Sequence, residues 1–364
     1  MAYTTIDKPD DYFNTKLYTG TGSSHAITGV GFAPNWVWIK HRNEANPHKI
    51  FDTVRGVGKS LKSNSTDAEA SNEENGYVSA FGSDGFTLVG GSTSSNDVNK
   101  SSGSYVAWNW KAGTSFSNSA GANSATIAST GSVNTDAGFS TISYTGNGND
   151  DDTAKIAHGL GVAANMIIVK CRNAAGGWQT SSTSLGFNNV LQLNATDAQA
   201  SGTYAFGRTG VAPTSTVFTV SATSGGNHTN TNNNTYIAYC FAEKQGYSKF
   251  GSYTGNGSTD GTFIYTGFRP AFTIFKRSSG TGGWLIHDNK RSESDGNNTL
   301  RKYLVAQTAG AEGTDDFFTI DHLSNGFKLR ATDAESNASG STYIYMAFAE
   351  NPFVTSTGVP ATAR

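Results

Sequence analysis

Tyr105-Val106-Ala107-Trp108-Asn109-Trp110 decides the fold of this chain, because the chain writes it three times. It returns as Tyr236-Ile237-Ala238-Tyr239-Cys240-Phe241 and as Tyr343-Ile344-Tyr345-Met346-Ala347-Phe348. The apolar side chains alternate with period two, as a β-strand requires. Upstream of each copy lies an apolar strand ending in lysine: Trp36 to Lys40, Met166 to Lys170 and Phe272 to Lys276. Lysine and closing tyrosine are 65, 66 and 67 residues apart in the three copies. Further upstream stands Tyr18-Thr19-Gly20, repeated as Tyr144-Thr145-Gly146 and Tyr253-Thr254-Gly255. So little drift over such a distance means one fold used three times. A repeat of roughly 100–110 residues is too long for a solenoid unit and is the size of a domain.

Working outward gives the organisation. Residues 1–11 read as an N-terminal arm, 12–113 as repeat 1 and 114–137 as a Ser/Ala/Gly/Thr linker. Repeat 2 covers 138–246, repeat 3 covers 247–353, and 354–364 form a C-terminal tail. Short strands with Gly, Asn, Ser and Asp turns between them predict an all-β chain of three tandem antiparallel β-sandwich domains, jelly-roll or lectin-like. Within a closing strand, Val106, Trp108 and Trp110 stay large and apolar across the copies, which assigns that face to the sandwich core. The opposite face carries smaller residues such as Ala107 and Ala238, which suit a second packed layer or a neighbouring subunit. The best helix signal, Ser65 to Ala70 with its echo Ala195 to Ala200, is too short for more than one or two turns.

Composition narrows the function. Charged residues are 15 % of the chain, against a usual ~25 %. Net charge is −2 with no basic run, which argues against a nucleic-acid partner. No window has the ~18 apolar residues of a membrane span, and Met1 to Asp10 lacks the apolar core of a secretion leader. Cys171 and Cys240 are too few for a disulfide framework and read as two free buried thiols, although a bridge between them is geometrically conceivable.

Chemistry-like features occur in single copies. Val57-Gly58-Lys59-Ser60 lacks the earlier glycine of a phosphate-binding loop and reads as a polar turn. The Asp150-Asp151-Asp152 run lacks the spacing of a calcium loop. The seven histidines form no metal-ligand pattern, so no metal and no cofactor is expected. Asp315, Asp316 and Asp321 cluster in sequence, but repeat 2 has no equivalent, which leaves a glycosidase pair unsupported. Trp178 and Trp284, each after Gly-Gly at matching places, have two readings: sugar-stacking platforms, or the first core residue of the next strand. Asn-x-Ser/Thr triplets at Asn64, Asn194 and Asn337 are what an Asn- and Thr-rich chain makes by chance.

Several stretches carry a resemblance. Tyr144-Thr145-Gly146-Asn147-Gly148, His158-Gly159-Leu160-Gly161, Tyr236 to Glu243, Phe250 to Ser258, Leu323 to Arg330 and Thr357 to Arg364 resemble an uncharacterised domain family. That family occurs in tandem in structural proteins of tailed bacteriophages, especially those of marine bacteria and cyanobacteria. The resemblance covers about 138–364 well, and repeat 1 departs most. It implies a non-enzymatic virion structural protein (tail fibre, spike or capsid decoration) that acts by assembly and host recognition. It brings no catalytic residues with it. The expected partners are other virion proteins, with a homotrimer favoured by analogy to threefold appendages. A host surface glycan is the expected ligand of the alternative, a carbohydrate-binding receptor protein; a polysaccharide depolymerase is the third reading. Localisation follows as the virion, after synthesis in the host cytoplasm. Repeat 1 with its arm is expected to be the attachment end.

Overall fold

The computed structural model describes residues 3–92, 96–202, 204–222, 226–292 and 298–360. Met1 and Ala2 of the arm, and residues 361–364 of the tail, lie outside them. Among the described residues the chain is all-β, built of several antiparallel sheets with no closed barrel.

Each repeat contributes one inner sheet in the same order. An opening strand (Phe13–Thr19, Phe139–Thr145, Ser248–Thr254) pairs with the closing strand (Ser104–Trp110, Thr235–Phe241, Thr342–Pro352). The closing strand pairs in turn with the lysine strand (Trp36–His41, Met166–Cys171, Phe268–Arg277), which pairs with a flanking strand (Lys49–Asp52, Gln179–Ser182, Trp284–Asp288). A smaller outer sheet follows in each repeat: His25–Thr28 with Gly85–Val89, Lys155–Ala157 with Val217–Thr219, and Phe263–Tyr265 with Gly326–Leu329.

The turn after the opening strand shows why the Tyr-Thr-Gly signature recurs. A Cβ on Gly20, Gly146 or Gly255 would lie 2.1–2.4 Å from a carbonyl oxygen of the loop preceding the closing strand. Asn99, Asn230 and Asn337 sit in those loops and accept the next backbone N–H, from Thr21, Asn147 and Asn256, at 2.8–3.0 Å. Their amides donate back to Ser23, Asn149 and Ser258 carbonyls. Each signature tyrosine stacks on the closing tyrosine, with centroids 5.0, 5.2 and 4.8 Å apart. The sequon-like Asn337 is therefore a loop clamp. So are Asn64 and Asn194, which accept the backbone N–H of His48 and Trp178.

The two faces of the closing strand have exchanged the roles expected of them. Tyr105 and Ala107 join Val37, Ile39, Phe86 and Leu88 in a core internal to repeat 1. Tyr236, Ala238 and Cys240 do the same in repeat 2, and Tyr343, Tyr345 and Ala347 in repeat 3. The bulky face instead joins one core shared by all three repeats. Trp36, Trp38, Trp108 and Trp110 meet Met166, Ile168, Tyr239 and Phe241, and both groups meet Phe272, Ile274, Met346 and Phe348. Trp36 stacks on Tyr239 at 4.6 Å, Trp110 meets Phe272 and Phe348 at 5.7 Å, and Phe241 meets Phe348 at 6.1 Å. Where the lysine strands converge, a gap of only about 10 Å³ remains, lined by side chains such as Trp36, Met166, Phe272 and Met346.

Two further expectations change. Residues 114–137 contain a hairpin, Thr114–Asn118 with Ser129–Asn134, whose second strand pairs along Phe139–Thr145 and extends the inner sheet of repeat 2. Ser65 to Ala70 and Ala195 to Ala200 form no helix. The arm folds back across the chain: Tyr3 donates to the Gly267 carbonyl, Thr4 to that of Gln245, and Asp7 accepts from the Ser356 backbone.

Candidate interaction site

The segments read as short helices are the loops that join the repeats. Glu69 and Gly176 exchange backbone bonds with Arg172 and Thr66, tying repeat 1 to repeat 2. Gln199 and Gly282 bond Ser278 and Thr196 in the same way, tying repeat 2 to repeat 3. Glu312 bonds the Arg42 carbonyl and brings repeat 3 back to repeat 1. Head-to-tail contacts that close after three steps make a ring.

Trp178 and Trp284 belong to this ring. They are 0 % and 3 % exposed, and their indole N–H groups donate at 2.9 Å to the carbonyls of Lys62 and Gln192 in the preceding repeat. Neither offers a ring face to a sugar, which corrects the stacking expectation. The preceding glycines allow close approach of the Asn227 carbonyl and the Gln192 side chain, rather than exposing the indole.

Several polar groups are paired across the seams. Asp52 accepts from Arg55 and, at 2.8 Å, from the Tyr239 hydroxyl of repeat 2. One step round the ring, Asp288 accepts from Arg291 at 2.6 Å and from the Trp108 indole at 3.0 Å. Arg42 grips Glu312 through two bonds, and Arg172 grips Glu69 in the same manner. Burial opposes ionisation of Glu69, but the Arg172 bond and the Arg55 charge outweigh it and hold its carboxyl below the ordinary value. Lys40, Lys170 and Lys276 are fully buried, and each Nζ donates to the carbonyl of the next residue at 2.6–2.7 Å. Lys170 and Lys276 also reach Thr66 and Thr196 of the preceding repeat. Burial brings all three lysines down to about 8.

The remaining candidates do not assemble into a reactive centre. Cys171 and Cys240 are free and buried. Asp151 caps Thr153, Asp152 bonds Thr209, and Lys59 bonds Ser71 at the surface. Asp315 accepts from Tyr303, Asp316 pairs with Arg301, and Asp321 pairs with Arg330. His287 and His322 are buried, and desolvation takes His287 down to about 3. Among the described residues, no group of three His, Cys, Asp or Glu could hold a metal ion.

Two further surface features are open to a partner. One is aromatic: Phe263 and Tyr265, 43 % and 53 % exposed, lie two residues apart on one strand, with Tyr3 hydrogen-bonded to Tyr265. The other is a cleft of about 410 Å³ between repeats 1 and 3. Phe13, Asn14 and Thr15 line it from repeat 1, Ala271, Asn289, Lys290 and Ala349 to Asn351 line it from repeat 3, and Asp7 to Asp10 of the arm complete the lining. Sequence reading missed both, because the cleft's residues lie far apart in the chain and the exposure of one strand face is not written in its sequence.

The chain belongs to the family described as Domain of unknown function (DUF7483), whose match covers residues 8–352. One match runs through all three repeats. Comparison with curated proteins and with solved structures finds no match for this chain.

Proposed function

We propose that the chain is a structural component of a bacteriophage virion, a fibre, spike or capsid decoration, built as three β-sandwich lobes fused into one rigid body. It works by assembly and surface recognition rather than turnover. The observation that carries this reading is the closed ring. Arg42, Asp52, Glu69, Lys170, Trp108 and Trp178, of the residue types from which sites are commonly made, are engaged in seam contacts between the repeats. Such a body suits holding a shape and presenting loops. A threefold assembly enters in altered form, since one chain already closes three like sheets around an axis; light scattering should return the mass of one chain. Antibodies against the recombinant protein should decorate phage particles from producing cultures in electron micrographs. Purified particles that lack the protein by mass spectrometry would overturn the reading.

The glycan-binding alternative keeps one supporting observation, the exposed Phe263 and Tyr265 pair, which could stack on sugar rings as the buried tryptophans cannot. Binding on a glycan array that disappears in Phe263→Ala and Tyr265→Ala, with folding intact, would favour it. An array without signal for the unaltered chain would remove it.

A further inference from the structure

The seam between repeats 1 and 2 shows what the cleft between repeats 3 and 1 is shaped to hold. In repeat 2 the strand Ser129–Asn134 lies along the outer edge of the opening strand, with Ser132 opposite Thr141 and Asn134 opposite Phe139. Its Ser132 hydroxyl accepts at 3.4 Å from Asn35 of repeat 1, which also bonds Thr53. The seam therefore consists of an opening strand, an inserted strand, and a corner made by Asn35 and Thr53.

Both walls recur at the next seam. Phe13 and Thr15 face Trp110 and Trp108 across their sheet, as Phe139 and Thr141 face Phe241 and Tyr239. The Asn289 N–H bonds the Ala271 carbonyl, as Thr53 bonds Asn35. No strand fills the gap: Phe13–Thr19 is the edge of its sheet among the described residues, and the 410 Å³ cleft lies where the inserted strand would run. Backbone bonds Lys111 N–H to Tyr12 and Gly20 N–H to Gly103 put residues 12 and 20 in the ladder with the closing strand. In an antiparallel pair such bonds alternate, so the N–H and C=O groups of Phe13, Thr15 and Leu17 point to the open edge. Ala271 replaces the bridging Asn35, and the buried Asn289 Oδ1 at this wall has no hydrogen-bond partner. The third seam is closed differently, by the Lys249–Glu243 pair and by Phe250 in the place of Thr15.

We infer that this cleft takes an extended segment of a partner protein, rich in Ser, Thr and Gly, added antiparallel to Phe13–Thr19 as the in-chain strand is added to repeat 2. Main-chain bonds supply the affinity, and the small side chains of the in-chain strand indicate those that fit. The inference rests on the reading of the chain as an assembly component. Its failure would leave particle labelling untouched, so the two can be told apart.

The test uses the intact chain and a labelled synthetic peptide of residues 127–136. Anisotropy should show saturable binding, and hydrogen exchange should slow at the amides of Phe13, Thr15 and Leu17. N-methylation at the peptide positions of Thr130 and Ser132, which face the opening strand in repeat 2, should weaken binding by at least about tenfold. Methylation at Gly131 and Val133 should leave it intact. Absence of binding, equal loss from both methylation patterns, or protection elsewhere would overturn the proposal. Self-association of the chain through this edge would overturn the choice of occupant in favour of a second copy.

Discussion

Asp52, Ser182 and Asp288 end the flanking strands of the three repeats, and each chemistry matches what faces it from the next repeat. Asp52 with Arg55 meets the Tyr239 hydroxyl, and Asp288 with Arg291 meets the Trp108 indole. In repeat 2 the pair is Ser182 and Leu185, and the closing-strand residue equivalent to Tyr239 and Trp108 is the apolar Met346. Polar partners thus occur together or not at all, as expected where an unpaired buried charge is far more costly than an apolar replacement. Arg291→Met should cost about 3–5 kcal/mol in urea denaturation, because Asp288 stays buried without its cation. The triple change Trp108→Met, Asp288→Ser and Arg291→Leu, which copies the repeat 2 seam, should recover most of that loss. A triple variant no more stable than Arg291→Met would show that the seam residues are not coupled. The lysines make a second residue-scale prediction. The fold holds Lys40, Lys170 and Lys276 near 8, below the ordinary 10.5, so between those values the unfolded chain binds more protons and stability rises with pH. Tyr18, Tyr144 and Tyr253 act oppositely once the pH passes 10, since burial raises them and the unfolded chain ionises first. The denaturation midpoint should therefore climb from pH 8 to 10. Replacing any one lysine by Met should flatten that climb, and an unchanged slope would refute the role of its burial.

The hairpin at 114–134 shows where sequence reading stops at the scale of elements. Strands bounded by Tyr-Thr-Gly turns and terminal lysines were legible because repetition exposed them. Thr114–Asn118 and Ser129–Asn134 were not, because Ser, Thr, Gly and Asn are also what loops are made of. Their structure comes from main-chain pairing along an existing edge, which composition does not record. Face assignment failed for a related reason. Both faces of the closing strand are apolar, and nothing in Val106, Trp108 or Trp110 says whether the opposing layer belongs to the same repeat or the next. Trp178 and Trp284 were matched correctly in position, but their depth depends on a neighbouring repeat. The cleft was invisible because residues 13–15 and 271–289 meet only through the ring. Gly131 tests the hairpin, since a Cβ there would lie 2.5 Å from the Thr141 carbonyl and 2.6 Å from the Phe116 ring. Gly131→Val should loosen the inserted strand by about 1–3 kcal/mol. Exchange should then quicken at the amides of Phe139, Thr141 and Ser143, which face it, and hold at Ser140, Ile142 and Tyr144, which bond the closing strand. Equal behaviour of the two sets would mean that the strand does not seal this edge.

At the scale of the molecule, the shared core decides whether three repeats mean three folding units. Each repeat has an internal core, which alone would permit independent folding. Yet each inner sheet turns its largest side chains toward the other two, and a lone repeat 3 would expose Phe272, Ile274, Met346 and Phe348 together. A contiguous apolar face of that kind favours aggregation over solution as a monomer. The closed ring adds seam bonds that break only if a neighbouring repeat is lost. Calorimetry of the full chain should therefore give one transition, with calorimetric and van't Hoff enthalpies in agreement. Residues 247–353 expressed alone should be insoluble or lack a cooperative transition. Three resolved transitions, or a soluble and cooperatively folding single repeat, would mean that the repeats are separate domains in contact. A single transition would make repeat number a condition of folding rather than a count of binding modules. Differences among the copies, including the hairpin in one seam and the cleft in another, would then belong to one indivisible body.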